Sequence, residues 1–228
     1  MSDEVDGVFD ERVVLLTSRI DLADVERLSP NEAAIVAGAV EKRRREFATG
    51  RRLAREALSR LGVEGFELLR DANHAPIWPA CISGSLSHCS TTAVVAAGRR
   101  GEVGTLGIDV EERVLLGEDV WPAVLRPEER GLLDTVPAPA RGRLALAMFC
   151  AKESLYKAQY PRTRRLMSFA DVRVDIVQVD RTPRLHGTLA CVFQTDIGEF
   201  AAGDVISCRF QQMTAGMLLA TVQIRGGE

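Results

Sequence analysis

The sequence has little lysine and no long apolar run, and both absences narrow what the protein can be. Only three of its 29 basic residues are lysine, at positions 42, 152 and 157. The longest uncharged run, 72–98, is interrupted by serine, histidine and glycine, whereas a transmembrane helix needs about 18–20 predominantly apolar residues. The acidic N-terminal segment has no apolar stretch typical of a secretory signal. We therefore expect a cytoplasmic protein without a membrane span.

Cysteine usage and net charge exclude further classes. The five cysteines are an odd number, widely spaced and without a CxxC pair, which argues against a disulfide framework or a structural zinc site. The formal charge of −3 makes nucleic-acid binding a poor default expectation. With 46% hydrophobic and 27% charged residues, the composition is that of an ordinary globular protein rather than a disordered or collagen-like chain.

Hydrophobic periodicity predicts an α+β protein of two similar, pseudo-symmetric lobes, each a long helix on a small, mostly antiparallel sheet. We expect the first lobe to cover residues 1–102 and the second 103–228, with the active site at their interface. One long helix is predicted at about 30–61, because Ser29, Pro30 and Glu32 form a start signal and Gly62 a stop. A second is predicted at about 141–159, ended by Pro161.

The remaining elements follow from shorter patterns. A short helix is expected at 126–134, a loop at 71–84 and a hairpin turn at 99–102. Strands are predicted at 12–18, 66–70, 91–98, 103–111, 171–179, 185–194, 204–210 and 217–224.

Three clusters have residue types suited to chemistry. Asp109 and Glu111 are two apart at a strand end, so both side chains point to one face. Mg²⁺ suits one or two carboxylates combined with substrate phosphates. The alternative is a strand end whose acids are simply solvated.

The second cluster is the segment 149–158, FCAKESLYKA. It contains two of the three lysines, and Glu153 and Lys157 are one helical turn apart. As a surface ion pair they would contribute only about 0.2–0.5 kcal/mol. The lysine scarcity and the neighbouring aromatic residues favour a partly buried site instead.

The third cluster is the segment 83–89, SGSLSHC. A serine hydrolase is disfavoured because no G-x-S-x-G turn is present. A Cys–His pair is disfavoured because adjacent strand residues point apart. The serine hydroxyls and His88 could all donate hydrogen bonds to a phosphate. The alternative is that His88 is an isolated histidine with a structural role.

Together these clusters resemble the 4′-phosphopantetheinyl transferases. GIDVE at 107–111, followed some forty residues later by FCAKESLYKA, is similar to the family's two signature motifs. The order and spacing resemble the two-lobed surfactin-synthetase-activating type, closest to actinobacterial and enterobactin-type members. The segments that carry the remaining resemblance are SLSHC, the basic stretch 43–51, Trp78-Pro79 and 166–169.

The resemblance implies transfer of 4′-phosphopantetheine from coenzyme A to a serine of an apo acyl, peptidyl or aryl carrier protein, releasing 3′,5′-ADP. Such a protein would serve fatty-acid, polyketide, siderophore or peptide synthesis, and we expect a monomer. The metal would be Mg²⁺, held by Asp109, Glu153 and Glu111. Either Glu153, or Glu111 through a metal-bound water, would take the serine proton. Lys157 would neutralise the leaving phosphate.

Coenzyme A contacts are also implied by the resemblance. His88 and Ser87 would bind a phosphate, and Lys152 would reach the pyrophosphate or brace Glu153. Arg43 and Arg51 would bind the 3′-phosphate and adenine end.

Two points about coenzyme A binding stay open. Arg44 and Arg55 compete with Arg51 for the 3′-phosphate, because the three fall nearly on one line of the helix. The family often has a lysine-bearing loop before Trp78. Here that loop is 71–76, without lysine, and His74 is the candidate substitute.

A docking segment for the carrier protein follows the second signature motif. It combines three arginines with two apolar residues: Arg162, Arg164, Arg165, Leu166 and Met167. The alternative is an ordinary basic helix terminus.

Two rival functions are compatible with these residues. One is a degenerate homologue that binds carrier proteins without catalysis, and the other is a Mg²⁺-dependent pyrophosphohydrolase.

Overall fold

A computed structural model describes residues 8–112, 115–180, 184–213 and 216–225. Within them the chain is a mixed helix and strand protein with two antiparallel sheets, in agreement with the expected α+β class. The strands are β1 Val14–Arg19, β2 Ile82–His88, β3 Thr92–Arg99, β4 Thr105–Glu111, β5 Val172–Asp180, β6 His186–Phe193, β7 Val205–Gln212 and β8 Leu218–Ile224. The helices are α1 Pro30–Ile35, α2 Glu41–Arg60, α3 Arg100–Val103, α4 Trp121–Val124, α5 Pro127–Asp134 and α6 Ala138–Thr163, with 3-10 turns at Leu22–Arg27 and Phe169–Asp171.

The first sheet has the order β1-β3-β2 and carries α2 on one face. Its central strand β3 is buried at every position except the last. Leu53, Ala57 and Leu58 of α2 pack in one core with Val95 and Ala97 of β3. Burial of these apolar side chains stabilises the helix on the sheet and fixes which face of α2 points outward.

The second sheet has the order β4-β8-β7-β6-β5 and carries α6 across β4 and β8. The approach of α6 to β4 is very close, because a Cβ atom at Gly107 would overlap the carbonyl oxygen of Ser154. Glycine at 107 therefore allows the helix backbone to rest on the strand. This contact sets the distance between the carboxylates of β4 and the side chains of α6.

The two sheets meet where β2 lies beside β4. Here serine hydroxyls bond to the backbone of the other strand. Ser85 Oγ accepts the Ile108 N–H at 3.1 Å, and Ser87 Oγ accepts the Val110 N–H at 3.3 Å. Because residues 85 and 87 lie on one face of β2, both hydroxyls reach β4 and tie the sheets together.

The single helix predicted at 30–61 is wrong, because the chain forms two helices, α1 and α2. The N-terminal signal was correct, since Ser29 and Glu32 form a capping box and Pro30 is in the first turn. Helix α1 nevertheless ends at Ile35. Val40, which lies inside the predicted helix, is 74% exposed and extended just before α2.

Predictions on either side of β2 and β3 also failed. The segment 66–70 forms only an isolated bridge between Arg70 and Pro76, and the predicted loop 71–84 overlaps the start of β2. The predicted hairpin turn at 99–102 is wrong, because α3 follows β3 and strands β3 and β4 belong to different sheets.

Pro161 does not end α6, which continues to Thr163. A proline there loses only the bond to the carbonyl one turn earlier, close to a terminus where carbonyls have few partners anyway. The other predicted strands and the helix at 126–134 correspond to observed elements. No helix within the described residues is long and apolar enough to cross a membrane.

Candidate functional site

Two adjoining cavities lie where the sheets meet. The larger, about 350 Å³, is lined by β2, the segment 73–78 and the C-terminal half of α6. The smaller, about 140 Å³, is lined by α2 and the same segment. Arg43, His74 and His88 border both. Three potentially cationic side chains therefore stand at the passage from one cavity to the other.

One face of α6 forms a wall of the larger cavity. Glu153, Tyr156, Lys157 and Tyr160 all line it. Their spacing of three, four and seven residues places them on the same helical face. The i,i+4 relation of Glu153 and Lys157 was predicted, and the helix turns both side chains towards the cavity.

Lys157 joins α6 to the end of β4. Its ammonium donates to Asp109 Oδ1 at 2.7 Å, to the Ile108 carbonyl at 3.0 Å and to Ser87 Oγ at 3.2 Å. Asp109 is only 6% exposed. Asp109 and Lys157, which were both predicted as site residues, are therefore in direct contact.

The acidic side chains of the site have different surroundings. Burial raises the pKa of Glu153, and the nearby charge of Asp109 raises it further while that of Lys157 lowers it. The pKa of the buried Cys150 thiol is raised by burial and then by the charges of Asp109 and Glu111. Both carboxylates of β4 thus act on α6, as expected from their i,i+2 spacing.

The carboxylate oxygens of Asp109 and Glu153 are of the kind that bind divalent cations such as Mg²⁺. Among the described residues, no group of three or more His, Cys, Asp and Glu side chains is assembled closely enough to hold a metal ion. Asp109 Oδ2 is nevertheless buried without a hydrogen-bond partner there. Because Mg²⁺ is usually held by one or two carboxylates and completed by phosphates and water, Asp109 and Glu153 fit it without a third preformed ligand.

The prediction that Lys152 contacts the pyrophosphate or braces Glu153 is wrong. Lys152 is 1% exposed, and its ammonium donates to Glu129 Oε2 at 2.7 Å and to the carbonyls of Val124 and Phe169 at 3.0 Å. Adjacent residues of a helix point about 100° apart, so Lys152 enters the core while Glu153 faces the cavity.

His88 faces α2 rather than β4. Its Nε2 lies 2.5 Å from Arg43 Nη1, and its Nδ1 lies 3.6 Å from Glu46 Oε2. Since the guanidinium can only donate, Nε2 is the acceptor and the imidazole is neutral. Burial is the main cause of the lowered pKa of His88, which Glu46 partly opposes.

Ser87 behaves differently from its neighbour. It borders the larger cavity, but its hydroxyl donates to Asp109 Oδ1 at 2.9 Å. In the described structure the Ser87 hydroxyl therefore contacts the acidic site, and its predicted contact with coenzyme A stays a prediction.

Arg51 is a buried cation at the smaller cavity. It is 4% exposed, its guanidinium lies 4.1 Å from the Phe47 ring centroid, and its Nε has no hydrogen-bond partner among the described residues. Burial lowers the pKa of Arg51 to about 10, so it stays charged at neutral pH. An underpaired buried cation is a candidate for binding an anion.

The two alternative arginines for the 3′-phosphate, Arg44 and Arg55, bond to other groups of the protein. Arg55 donates to the fully buried Glu32 at 2.6 Å and to the Arg27 carbonyl. Arg44 donates to the Ala37 carbonyl at 2.9 Å. Neither lines the two cavities, which favours Arg51.

Sequence reasoning missed Arg70 as a site residue. Arg70 borders the smaller cavity beside His74, and its charge contributes to the lowered pKa of Arg51. His74, named as a substitute for the missing lysine, has a φ of 66° and lines both cavities. The turn at 71–75 holds His74 in this conformation. The sequence pattern predicts a loop there but not the direction of the His74 side chain.

A second missed feature is a clasp between the 71–75 loop and α6. The Tyr160 hydroxyl donates to Asp71 Oδ2 at 3.0 Å and accepts from Asn73 Nδ2 at 2.7 Å. Arg164 donates to the same Asp71 oxygen at 3.1 Å. Asp71 Oδ1 accepts the backbone N–H groups of Asn73 and Ala75. The clasp therefore connects the loop that carries His74 to the helix that carries Glu153.

Two of the arginines in the predicted docking segment have protein partners. Arg162 forms an ion pair with Glu199, and Arg164 is part of the clasp. Arg165 is exposed, and Leu166 is 67% exposed at the end of α6. Met167 packs against the apolar core between α6 and the second sheet.

Comparison with known families matches two consecutive parts of the chain. Residues 31–98 match a model described as the 4′-phosphopantetheinyl transferase N-terminal domain. Residues 105–201 match the 4′-phosphopantetheinyl transferase superfamily. The two matches contain β2, β4 and all of α6, which carry most residues of the site.

Curated proteins are similar over about half to two thirds of the chain. The chain is 40% identical to the 4′-phosphopantetheinyl transferase PptT of Mycobacterium tuberculosis over 64% of this chain and 63% of that protein. It is 42% identical to the 4′-phosphopantetheinyl transferase Svp of Streptomyces mobaraensis over 66% and 63%. It is 36% identical to the enterobactin synthase component D of Salmonella typhimurium over 51% and 48%. The chain thus spans less than two thirds of the length of these relatives.

Proposed function

Because the chain belongs to the 4′-phosphopantetheinyl transferase superfamily, we propose that it transfers 4′-phosphopantetheine from coenzyme A to a serine of an apo carrier protein. The observation that carries the proposal is one continuous site. It has the acidic pair Asp109 and Glu153 beside Lys157 at one end and the cations Arg43 and Arg51 at the other. We assign the chain to the surfactin-synthetase-activating type, because two consecutive segments of one chain match the family.

The cationic end would bind the 3′-phosphate and adenosine of coenzyme A. Arg51 supports this because it is buried, charged and only partly paired. Arg43 and the neutral imidazole of His88 border the passage to the larger cavity. A phosphate placed there would accept hydrogen bonds from guanidinium groups, which are well suited to it.

The reaction requires one proton transfer and one displacement at phosphorus. The carrier serine oxygen forms a bond to the β-phosphorus, and the bond from that phosphorus to the oxygen bridging to the α-phosphorus breaks. The bridging oxygen leaves with 3′,5′-ADP. Either Glu153, which lines the cavity, or Glu111 acting through water would take the serine proton.

Neutralisation of the phosphate charges would supply most of the rate enhancement. Asp109 and Glu153, with Glu111 as a further ligand or acting through water, would hold Mg²⁺. When bound, this ion would neutralise the pyrophosphate oxygens. Lys157 lines the cavity and is 26% exposed at its side chain, so its charge would act on the phosphates from the helix side.

We further propose that the chain consists of two lobes, 1–102 and 103–228, with the site at their interface. Each sheet carries one long helix, α2 on the first and α6 on the second, which supports the pseudo-symmetry. The seam of β2 and β4 adjoins the larger cavity. We also propose that the catalytic unit is a monomer.

The transferase assignment is tested by incubating the protein with coenzyme A, Mg²⁺ and a panel of apo carrier proteins, read by intact mass. A gain of one phosphopantetheine on a carrier, together with 3′,5′-ADP release, is expected. Asp109→Ala should abolish the gain, and Asp175→Ala, on the edge strand β5, is the control. Release of 3′,5′-ADP without a carrier would indicate a pyrophosphohydrolase, and binding of a carrier without mass gain a degenerate homologue.

Carrier docking would use the segment 162–167, especially the exposed Arg165 and Leu166. Arg165→Glu should raise the KM for an acidic carrier protein and leave that for coenzyme A unchanged, whereas Arg164→Glu would also break the clasp. Arg60→Glu, at the end of α2, is the control. An unchanged carrier KM in Arg165→Glu would exclude this residue from the interface.

A further inference from the structure

The two oxygens of the Asp109 carboxylate have opposite surroundings. Oδ1 accepts from Ser87 Oγ at 2.9 Å and from Lys157 Nζ at 2.7 Å. Oδ2 is buried and makes no hydrogen bond of normal geometry among the described residues, although the Cys150 thiol interacts with the same carboxylate. Two donors on one oxygen fix the rotation of the carboxylate and leave the other oxygen available to a cation.

The hydroxyl of Ser87 has no freedom to turn elsewhere. A serine hydroxyl can donate one hydrogen bond and accept two. Ser87 Oγ accepts from the Val110 N–H at 3.3 Å and from Lys157 Nζ at 3.2 Å. Both acceptor positions are thus used, and its one hydrogen is directed at Asp109 Oδ1. Ser87 is also only 7% exposed.

We propose that the Ser87 hydroxyl is a positioning group for the divalent cation, because it orients Asp109 so that Oδ2 faces the ion. This inference rests on the proposed function, because it assumes that Asp109 holds Mg²⁺. Groups that orient a metal ligand without touching the metal commonly change metal affinity by about 10- to 100-fold.

Ser85 provides a matched control on the same strand. Its Oγ accepts the Ile108 N–H at 3.1 Å, so it joins β2 to β4 in the same way as Ser87. It is 3% exposed. Its hydroxyl does not contact the Asp109 carboxylate in the described structure. A purely structural role in the seam would therefore be shared by both serines, whereas orientation of Asp109 belongs to Ser87.

The experiment compares wild type, Ser87→Ala and Ser85→Ala in three measurements without a carrier protein. Mn²⁺ binding is followed by electron paramagnetic resonance with saturating coenzyme A. Coenzyme A binding is measured by calorimetry in EDTA, and thermal unfolding is measured in EDTA without coenzyme A. Ser87→Cys, which keeps a weak donor of similar shape, replaces the alanine variant if that variant does not fold.

We expect Ser87→Ala to weaken Mn²⁺ binding about tenfold, and Ser85→Ala to change it less than twofold. Coenzyme A affinity in EDTA should be unchanged in both, and their unfolding temperatures should fall by similar amounts. Equal Mn²⁺ affinity in wild type and Ser87→Ala would overturn the inference, as would an equal loss in Ser85→Ala. Loss of coenzyme A affinity in EDTA in Ser87→Ala would overturn the inference too, because it would show that the hydroxyl binds coenzyme A. If wild type itself binds no Mn²⁺, the metal assignment fails instead.

Discussion

Lys152 and Glu129 form a buried ion pair at 2.7 Å that holds α5 against α6. Glu129 is 1% exposed, and its other oxygen accepts the Val174 N–H at 2.6 Å. The backbone N–H of Arg126 also donates to Glu129. One carboxylate thus binds α5, α6 and β5 together and fixes the rotation of the helix whose other face carries Glu153.

Removing the lysine from this pair should destabilise the protein without weakening ligand binding. Lys152→Met leaves an uncompensated buried carboxylate, which costs about 3–5 kcal/mol of unfolding free energy. Adding Glu129→Gln should recover part of this loss, because the charge is then removed. Urea unfolding of both variants measures the effect.

Coenzyme A affinity distinguishes this structural role from the original expectation for Lys152. At a temperature where Lys152→Met is folded, its affinity for coenzyme A should equal that of wild type. A loss exceeding tenfold in the folded variant would place Lys152 at the ligand after all.

Arg51 should discriminate coenzyme A from its form without the 3′-phosphate. Loss of a charge-assisted contact costs about 1.5–3 kcal/mol, so Arg51→Ala should weaken coenzyme A binding about ten- to a hundredfold. Binding of dephospho-coenzyme A should change much less. Calorimetry with both ligands gives the comparison.

Arg44→Ala is the matched control for Arg51, because Arg44 lies on the same helix but bonds to the Ala37 carbonyl. It should leave both affinities nearly unchanged. Equal losses for the two ligands in Arg51→Ala would remove Arg51 from the 3′-phosphate site.

His88 should make stability and coenzyme A binding depend on pH. Its pKa in the folded protein is lowered by burial and, less strongly, by Arg43 and Lys157, against the opposing effect of Glu46. The folded state therefore binds fewer protons than the unfolded state below about pH 6.5, the ordinary histidine pKa. The contribution of neutral His88 is fully present above that pH and is lost as the pH falls towards its folded pKa.

Two measurements check the role of His88. The unfolding free energy should decrease between pH 7.5 and 5.5, and the decrease should be smaller in His88→Gln. Binding of the polyanionic coenzyme A should raise the histidine pKa again, so wild type should take up a proton near pH 6 that His88→Gln does not. Identical proton uptake in both proteins, from calorimetry in buffers of different ionisation enthalpy, would argue against this assignment.

The Tyr160 clasp should act on coenzyme A through the loop that carries His74. Tyr160→Phe keeps the ring but removes the hydroxyl that bonds Asp71 and Asn73. We expect coenzyme A affinity to fall several-fold, with a stability loss of about 1–2 kcal/mol.

Tyr156→Phe is the control for the clasp, because Tyr156 lines the same cavity and stacks on Tyr160 at 5.9 Å outside this network. It should leave coenzyme A affinity close to wild type. If both phenylalanine variants bind coenzyme A equally well, the clasp has no part in ligand binding.

The local relationships in this protein were readable from sequence. Alternation along β4 put Asp109 and Glu111 on one face, and helical spacing put Glu153 one turn from Lys157. The capping box at Ser29 was also correct. Each of these depends on residues within four positions of one another, where backbone geometry alone decides the arrangement.

Relationships between distant residues were decided by tertiary packing. Ser87 and Asp109 are 22 residues apart, and they meet because β2 lies beside β4. Lys152 and Lys157 share one motif, yet Lys152 is buried with Glu129 of α5 and Lys157 faces the cavity. Periodicity could not foresee this, since the same spacing is compatible with either rotation of the helix. The packing of α5, β4 and α6 selected the rotation that pairs Lys152 with Glu129 and Lys157 with Asp109.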